Sequence, residues 1–206
     1  MRTIMANTLK SIFRAPPILE TDRLLLRRME CRDSSDMFEY ARDPAVTRYL
    51  TWEPHPDETY TRRYLTFLSG RYKAGEFYDW ALILKSESKM IGTCGFTRID
   101  CKKRCGEAGY VLNKKYWGQG LAPEALSQII RFGFEVLGLE RMESRYMQEN
   151  TASRRVMEKA GMVFEGFLEA PLTIKGRQVS VGICAITRSE YQSRLLGPSL
   201  PCTSHL

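Results

Sequence analysis

A chain of 206 residues, 43% hydrophobic and 27% charged, has the make-up of one folded domain with a real core, plus at most an appendage. No apolar run approaches the ~18–20 residues that cross a bilayer, so no membrane role is expected. The net charge of +7 suits an anionic ligand, but no basic cluster interleaved with aromatics points to nucleic-acid readout. The six cysteines form no C-x-x-C pair and the only histidines are His55 and His205, so a structural zinc site is excluded and no metal is expected. Reduced thiols and a cytoplasmic location follow.

Residues 1–17 carry Arg2, Lys10 and Arg14 and no acid, with Ile4, Met5, Leu9, Ile12 and Phe13 as apolar points. That reads as an amphipathic arm lying on the domain or on a partner subunit, although a transit peptide has the same look. Arg23–Met29 is a first strand. In "DSSDMFEYARD" Asp33 and Ser34 are candidate N-caps of a helix with Met37, Phe38 and Ala41 at helical spacing. "PAVTRYLTWEPHP" is turn-rich, and a second helix runs from about Asp57 to Ala74, with Tyr60, Tyr64, Leu65 and Leu68 on one face and Gly75 as its stop. Phe77–Leu84, Met90–Ile99 and Glu107–Leu112 form an antiparallel meander joined by short polar loops. Leu126, Ile129, Ile130, Phe134 and Leu137 then form a helical stripe. "RMESRYM" is a strand, and "NTASRRVMEKAGM" is a helix ended by Gly161. "VFEGFLEA" and "QVSVGICAIT" are two strands joined through "PLTIKGR", and an exposed tail follows. The expected architecture is α+β: one mixed, mostly antiparallel sheet of about seven strands flanked by helices. The domain spans 18–192, between the 1–17 arm and a 193–206 tail.

The chemistry concentrates in "YWGQGLAPEAL". Gly118 and Gly120 precede a strong helix, with Pro123 suited to the first helical position and Glu124 to the first turn. A P-loop would need Lys followed by Ser or Thr, and a dinucleotide fingerprint a third glycine where Pro123 stands. What is left is either a structural turn or an oxyanion cradle at the positive end of a helix dipole.

The pair "GYVLNKKYWGQGLAPEAL" and "NTASRRVMEKAGMVFEG" resembles the GCN5-related N-acetyltransferases, in the branch that includes ribosomal-protein N-terminal acetyltransferases; "LETDRLLLRRM" and "TRYLTW" fit too. The resemblance covers roughly residues 18–190 and implies the acetyltransferase fold and acetyl-CoA as donor. Trp117, Gly118, Gln119, Gly120, Leu121 and Ala122 would wrap its pyrophosphate, with Trp117 standing where the superfamily has Gln or Arg. It also implies that Asn150 binds the cofactor and that Ser153 donates to the departing sulfur, and the backbone of Tyr110, Val111 and Leu112 would bond the cofactor arm. Gly109 could mark the irregularity that opens the sheet.

Acetyl transfer to an amine needs a neutral nucleophile, a stabilised oxyanion and a proton for the thiolate. An α-amine (pKa ~7.7–8.0) asks less of a base than lysine (~10.4), and the chain is thin in acid–base residues. Glu107, at the start of a strand leading to the glycine loop, is the candidate base, with a solvated strand-end carboxylate as the alternative; Glu165 and Glu169 are weaker. Trp52 and His55 could line the acceptor pocket or simply pack. The leading reading is transfer to a protein N-terminus, possibly ribosomal, by a monomer or homodimer. A small amine such as a polyamine is an alternative, which Glu53, Asp57 and Glu58 would favour, and so is a non-catalytic acyl-CoA-binding protein.

Overall fold

The computed structural model describes residues 2–196, with side chains from Thr8 onward. Its core is an eight-stranded sheet in the order β1-β2-β3-β4-β5-β6-β10-β7. The strands are β1 (Leu19–Glu20), β2 (Leu24–Arg27), β3 (Asp79–Leu84), β4 (Lys89–Asp100), β5 (Cys105–Leu112), β6 (Arg141–Met147), β7 (Val163–Phe167) and β10 (Val181–Thr187). Every pairing is antiparallel except β5 with β6. A parallel pair needs a long crossover, and helix α5 (Leu121–Glu135) supplies it.

The β5–β6 pairing is short. It runs from Cys105↔Arg141 to Ala108↔Ser144 and stops. β5 stays on β4 as far as Leu112↔Gly92, while β6 stays on β10 as far as Met147↔Val181. The sheet therefore forks, and one backbone edge of Gly109–Leu112 faces a gap instead of a neighbouring strand. The irregularity that goes with the fork is not at Gly109: it is a bulge in β4 between Phe96 and Arg98. The bulged Thr97 donates its hydroxyl to the Glu107 carbonyl, and its methyl would lie 2.6 Å from a Cβ on Gly109.

Helices cover both faces, which explains why β3 reads as an unbroken apolar run. Trp80 and Leu82 turn towards α5, and Ala81 and Ile83 towards α2 (Ser34–Ala41), α3 (Pro44–Thr47) and α4 (Glu58–Ala74). Asp57 caps α4 by accepting from Tyr60 N, and Gly75 ends it in the left-handed conformation. Asp33 does not cap α2: its carboxylate takes a two-pronged ion pair from Arg27 and accepts from the Glu30 N–H, closing a capping box on the 3₁₀ turn Cys31–Asp33 before the helix. The N-terminal arm is helix α1 (Arg2–Arg14), and it lies on the domain. Phe13 is fully buried among Tyr78, Trp80, Phe96 and Phe132, and the Trp80 indole donates to Pro17 O.

Two features were not anticipated. "PLTIKGR" is no plain connection; it builds a separate hairpin, β8 (Leu172–Ile174) with β9 (Arg177–Val179), whose tip Lys175 donates to Thr47 O. Val179 thus leaves the strand assigned to it. The chain past Thr187 forms helix α7 (Arg188–Leu195), opened by a reciprocal Thr187–Glu190 capping box. The rest of the proposed tail, 197–206, lies outside the described residues.

Candidate active site

The glycine loop follows β5 through a one-turn 3₁₀ helix, Lys114–Tyr116. Gly118 and Gly120 have φ of +77° and +76°, a region that side chains adopt only under strain. Gly120 is the N-cap of α5 and, having no side chain, offers its first turn no cap. The N–H groups of Leu121 and Ala122 have no carbonyl one turn back to bond. Pro123 is the third helical residue, not the first, and the first intrahelical bond is Glu124 N to Gly120 O. The result is a set of amide donors at the positive end of a fifteen-residue helix, left open by the residue at the cap. Trp117 turns its indole back to donate to Leu112 O at 2.8 Å, tying the loop to the end of β5. Gln119 does not face the cleft; its side chain donates to Lys115 O.

Two residues the sequence reading missed hold this loop. The Arg23 guanidinium donates to Gln119 O at 2.8 Å and to Glu124 Oε2 at 2.7 Å, and the Thr21 hydroxyl donates to Glu124 Oε1 at 2.6 Å. Desolvation pushes the Glu124 carboxyl up, but the bonds from Thr21 and Arg23 outweigh it and leave its pKa lowered. A hundred residues separate these groups in sequence, so no local signal could have paired them.

The fork and the loop open into one cleft of about 930 Å³. Its lining includes Tyr110, Val111 and Leu112 from β5, Trp117, Gly118 and Gly120–Ala122 from the loop, and Asn150 and Ser153 from α6 (Thr151–Lys159). Asn150 caps α6 through its own side chain, accepting from Ser153 N at 3.2 Å. The Tyr110 hydroxyl donates to Ser153 O at 2.9 Å and lies 2.8 Å from Ser153 Oγ, so strand and helix are stitched across the fork by one hydroxyl pair. Burial raises the Tyr110 phenol and keeps it protonated. Tyr146 is a buried core residue that also borders the cleft.

Glu107 reaches the cleft, but its oxygens are engaged. Oε1 accepts from the Thr97 hydroxyl at 3.0 Å, and Oε2 lies 3.3 Å from Arg145 Nε and 3.4 Å from Arg98 Nη2. Glu165 pairs with Arg141 outside the cleft, and Glu169 is exposed outside it as well. A second carboxyl, Asp79 at the start of β3, also lines the cleft. Trp52 lines it beside Arg48, Tyr49 and Leu50. His55 does not: it is buried, with Nδ1 2.8 Å from the Thr61 hydroxyl and its ring packed on Trp52, Tyr60 and Tyr64. Desolvation lowers its pKa, so it is a neutral loop anchor and not an acceptor contact.

A family model described as an acetyltransferase (GNAT) domain matches residues 23–163, and the chain belongs to that family of acetyltransferase enzymes. It is 34% identical over 173 residues to the uncharacterized N-acetyltransferase p20 of Bacillus licheniformis, covering 84% of this chain and 97% of that one. It is 27% identical to the [ribosomal protein uS5]-alanine N-acetyltransferase of Escherichia coli (strain K12), covering 84% and 92%. Among solved structures, a GNAT-family acetyltransferase from Bacillus anthracis superposes with a TM-score of 0.74 at 29% identity, over 83% of this chain and 98% of that one. The ribosomal L7/L12 alpha-N-protein acetyltransferase RimL in complex with coenzyme A shares the fold, at TM-score 0.70 and 19% identity, over 83% and 98%. GNAT-fold acetyltransferases use acetyl-CoA.

Proposed function

We propose that this enzyme acetylates the α-amine of a protein or peptide N-terminus, holding acetyl-CoA in the forked cleft. The supporting observation is the coincidence of the two features a CoA thioester needs. One is an uncapped helix N-terminus behind Gly118 and Gly120; the other is an unpaired strand edge at Gly109–Leu112 leading away from it. The bound cofactor supplies a thioester carbonyl. Leu121 and Ala122 N–H groups take the diphosphate, aided by Lys114, Arg155 and Lys159 in the same lining. The free edge of Tyr110–Leu112 takes the amide arm. Ser153, oriented by Tyr110 and by the Asn150 cap, gives the sulfur its proton. Ser153→Ala is expected to lower kcat about 10- to 100-fold with little change in KM for acetyl-CoA, read from steady-state kinetics.

The α-amine is favoured over a polyamine because the acids of "WEPHPDE" serve the fold. Glu53 pairs with Lys175, Asp57 caps α4, and Glu58 binds Ser34 and Arg62. None of them lines the cleft. The E. coli relative named as a [ribosomal protein uS5]-alanine N-acetyltransferase supports the same direction. The test is acetyl transfer followed by mass spectrometry on peptides with a free N-terminus, on N-blocked lysine peptides and on spermidine. Modification confined to free N-termini is expected; turnover only on lysine or spermidine would overturn the reading.

A further inference from the structure

We propose, resting on the acetyl-transfer reading above, that Asp79 and not Glu107 takes the proton of the incoming ammonium, and that a row of glycines connects it to the fork. Asp79 pairs directly with Gly95 on β4, and Gly95 with Gly109 on β5. Residues directly opposite share a face, so the three form one row on the α2/α4 side of the sheet. Neighbouring strands lie about 4.8 Å apart, which puts Asp79 roughly 10 Å from the fork edge of β5, room for an amine and one water. Asp79 carries the only side chain in that row, with the Thr97 methyl bordering it at Gly109. A Cβ at Gly95 would come within 2.8 Å of Asp79 Oδ1, so a side chain there would crowd the carboxyl directly.

The surroundings of the two carboxyls differ in kind. Glu107 already faces two guanidinium groups and a hydroxyl. Asp79 has no cationic side chain within ion-pair distance among the described residues; Oδ1 accepts from Trp80 N at 3.0 Å, and Thr93 on β4 stands beside the carboxyl. Desolvation raises its pKa to about 7 against the pull of Thr93 and Trp80 N–H. The groups facing it are Tyr40 on α2, Tyr64 and Tyr72 on α4, and Thr93 on β4. Burial raises all three phenols, the charge of Asp79 adds to the rise, and they stay neutral. Arg71 and Arg28 act on Tyr64 and Tyr72 but not on Asp79. Tyr40 Oη is buried with no hydrogen-bond partner among the described residues, a second unspent polar group within the reach of this carboxylate's charge. An arriving ammonium is thus the first counter-charge Asp79 meets, and an α-amine (pKa ~7.7–8.0) is closely matched to it.

The ammonium passes one proton to the Asp79 carboxylate through a water, and Asp79 releases it to solvent. The freed lone pair forms the C–N bond as the C–S bond breaks, and the nitrogen's second proton ends on the sulfur through Ser153. Ammonium and thioester become amide, thiol and one proton.

The test is the pH profile of kcat with two peptides whose α-amines differ in pKa, for wild type, Asp79→Asn and Glu107→Gln. Wild type is expected to show an acidic limb near pH 7 that stays put between peptides. Asp79→Asn should lose at least ~100-fold in kcat, with a limb that follows each peptide's own amine. Its Kd for coenzyme A by calorimetry should stay within about twofold. The melting temperature gives a readout apart from activity. A carboxyl whose folded pKa is raised contributes its stability below its ordinary pKa and loses it as pH rises through the folded value. Asp79→Asn should therefore melt above wild type at pH 8, with the gain vanishing towards pH 4. An unchanged limb in Asp79→Asn, or a limb abolished by Glu107→Gln alone, would overturn the assignment of the base. Wild type that binds no coenzyme A would instead overturn the acetyl-transfer reading itself.

Discussion

Gly120→Val is expected to weaken coenzyme A binding at least ~100-fold while the fold survives, because the residue sets both the shape and the vacancy of the cradle. Its φ of +76° and ψ of 6° lie where a β-branched side chain costs about 1–3 kcal/mol. The chain can relieve that strain only by rotating the peptides on either side, and those peptides aim the first-turn N–H groups. A hundredfold loss corresponds to about 2.7 kcal/mol, the size of a few charge-assisted hydrogen bonds forfeited together. Gly138→Val is the matched control. Gly138 has φ of +65° but lies beyond the other end of α5, outside the cleft lining, so it carries the same strain without the ligand. Calorimetry with coenzyme A and a thermal melt of each variant separate the two effects. If Gly120→Val bound coenzyme A as wild type does, the loop would be a structural turn and the cradle assignment would fall.

The elements that repeat a short-range pattern were legible in the sequence, and the contacts that arise between elements were not. The stripe of Leu126, Ile129, Ile130 and Phe134 is buried along α5, so its period announced the helix, while Leu137 is buried just past its end. Gly118 and Gly120 pointed to a left-handed turn before the helix because φ > 0 is a property of single residues. Ser153 and Asn150 are three apart at a helix start, and their bond is local. The fork is different in kind. It depends on where β5 and β6, separated by a helix, stop pairing, and nothing in either strand's own residues encodes that limit. Asp79 escaped notice for the same reason. It reads as a polar residue opening an apolar strand, and the tyrosines whose phenols feel its charge come from α2 and α4, brought to it by the fold. His55 was overread because a lone histidine draws attention by type, whereas Thr61 and three aromatic rings had already claimed it. The hairpin of "LTIKGRQV" is polar on most positions and short, below the length at which alternation can be recognised.

Phe13→Ala is expected to cost about 3–5 kcal/mol, the loss that follows truncation of a fully buried ring. The ring has no exposed surface and meets Tyr78 at 4.6 Å, Trp80 at 5.6 Å, and Phe96 and Phe132 at 6.3 Å, edge-on in each case. Those partners come from β3, the approach to it, β4 and α5, so the arm plugs the junction between the sheet and the crossover helix that carries the glycine loop. Gly75 confirms how closely it sits, since a Cβ there would lie 2.2 Å from Lys10 O. For a domain of this size the loss should lower the melting temperature by roughly 6–20 °C in calorimetry. Trp80 emission should shift to the red as water reaches the indole that Pro17 now covers. A loss under about 1 kcal/mol would mean that residues 2–14 are an appendage whose removal the domain tolerates. The larger loss would mean that the hydrophobic core begins within the first helix, and that truncating the chain at residue 17 exposes the aromatic cluster beneath α5.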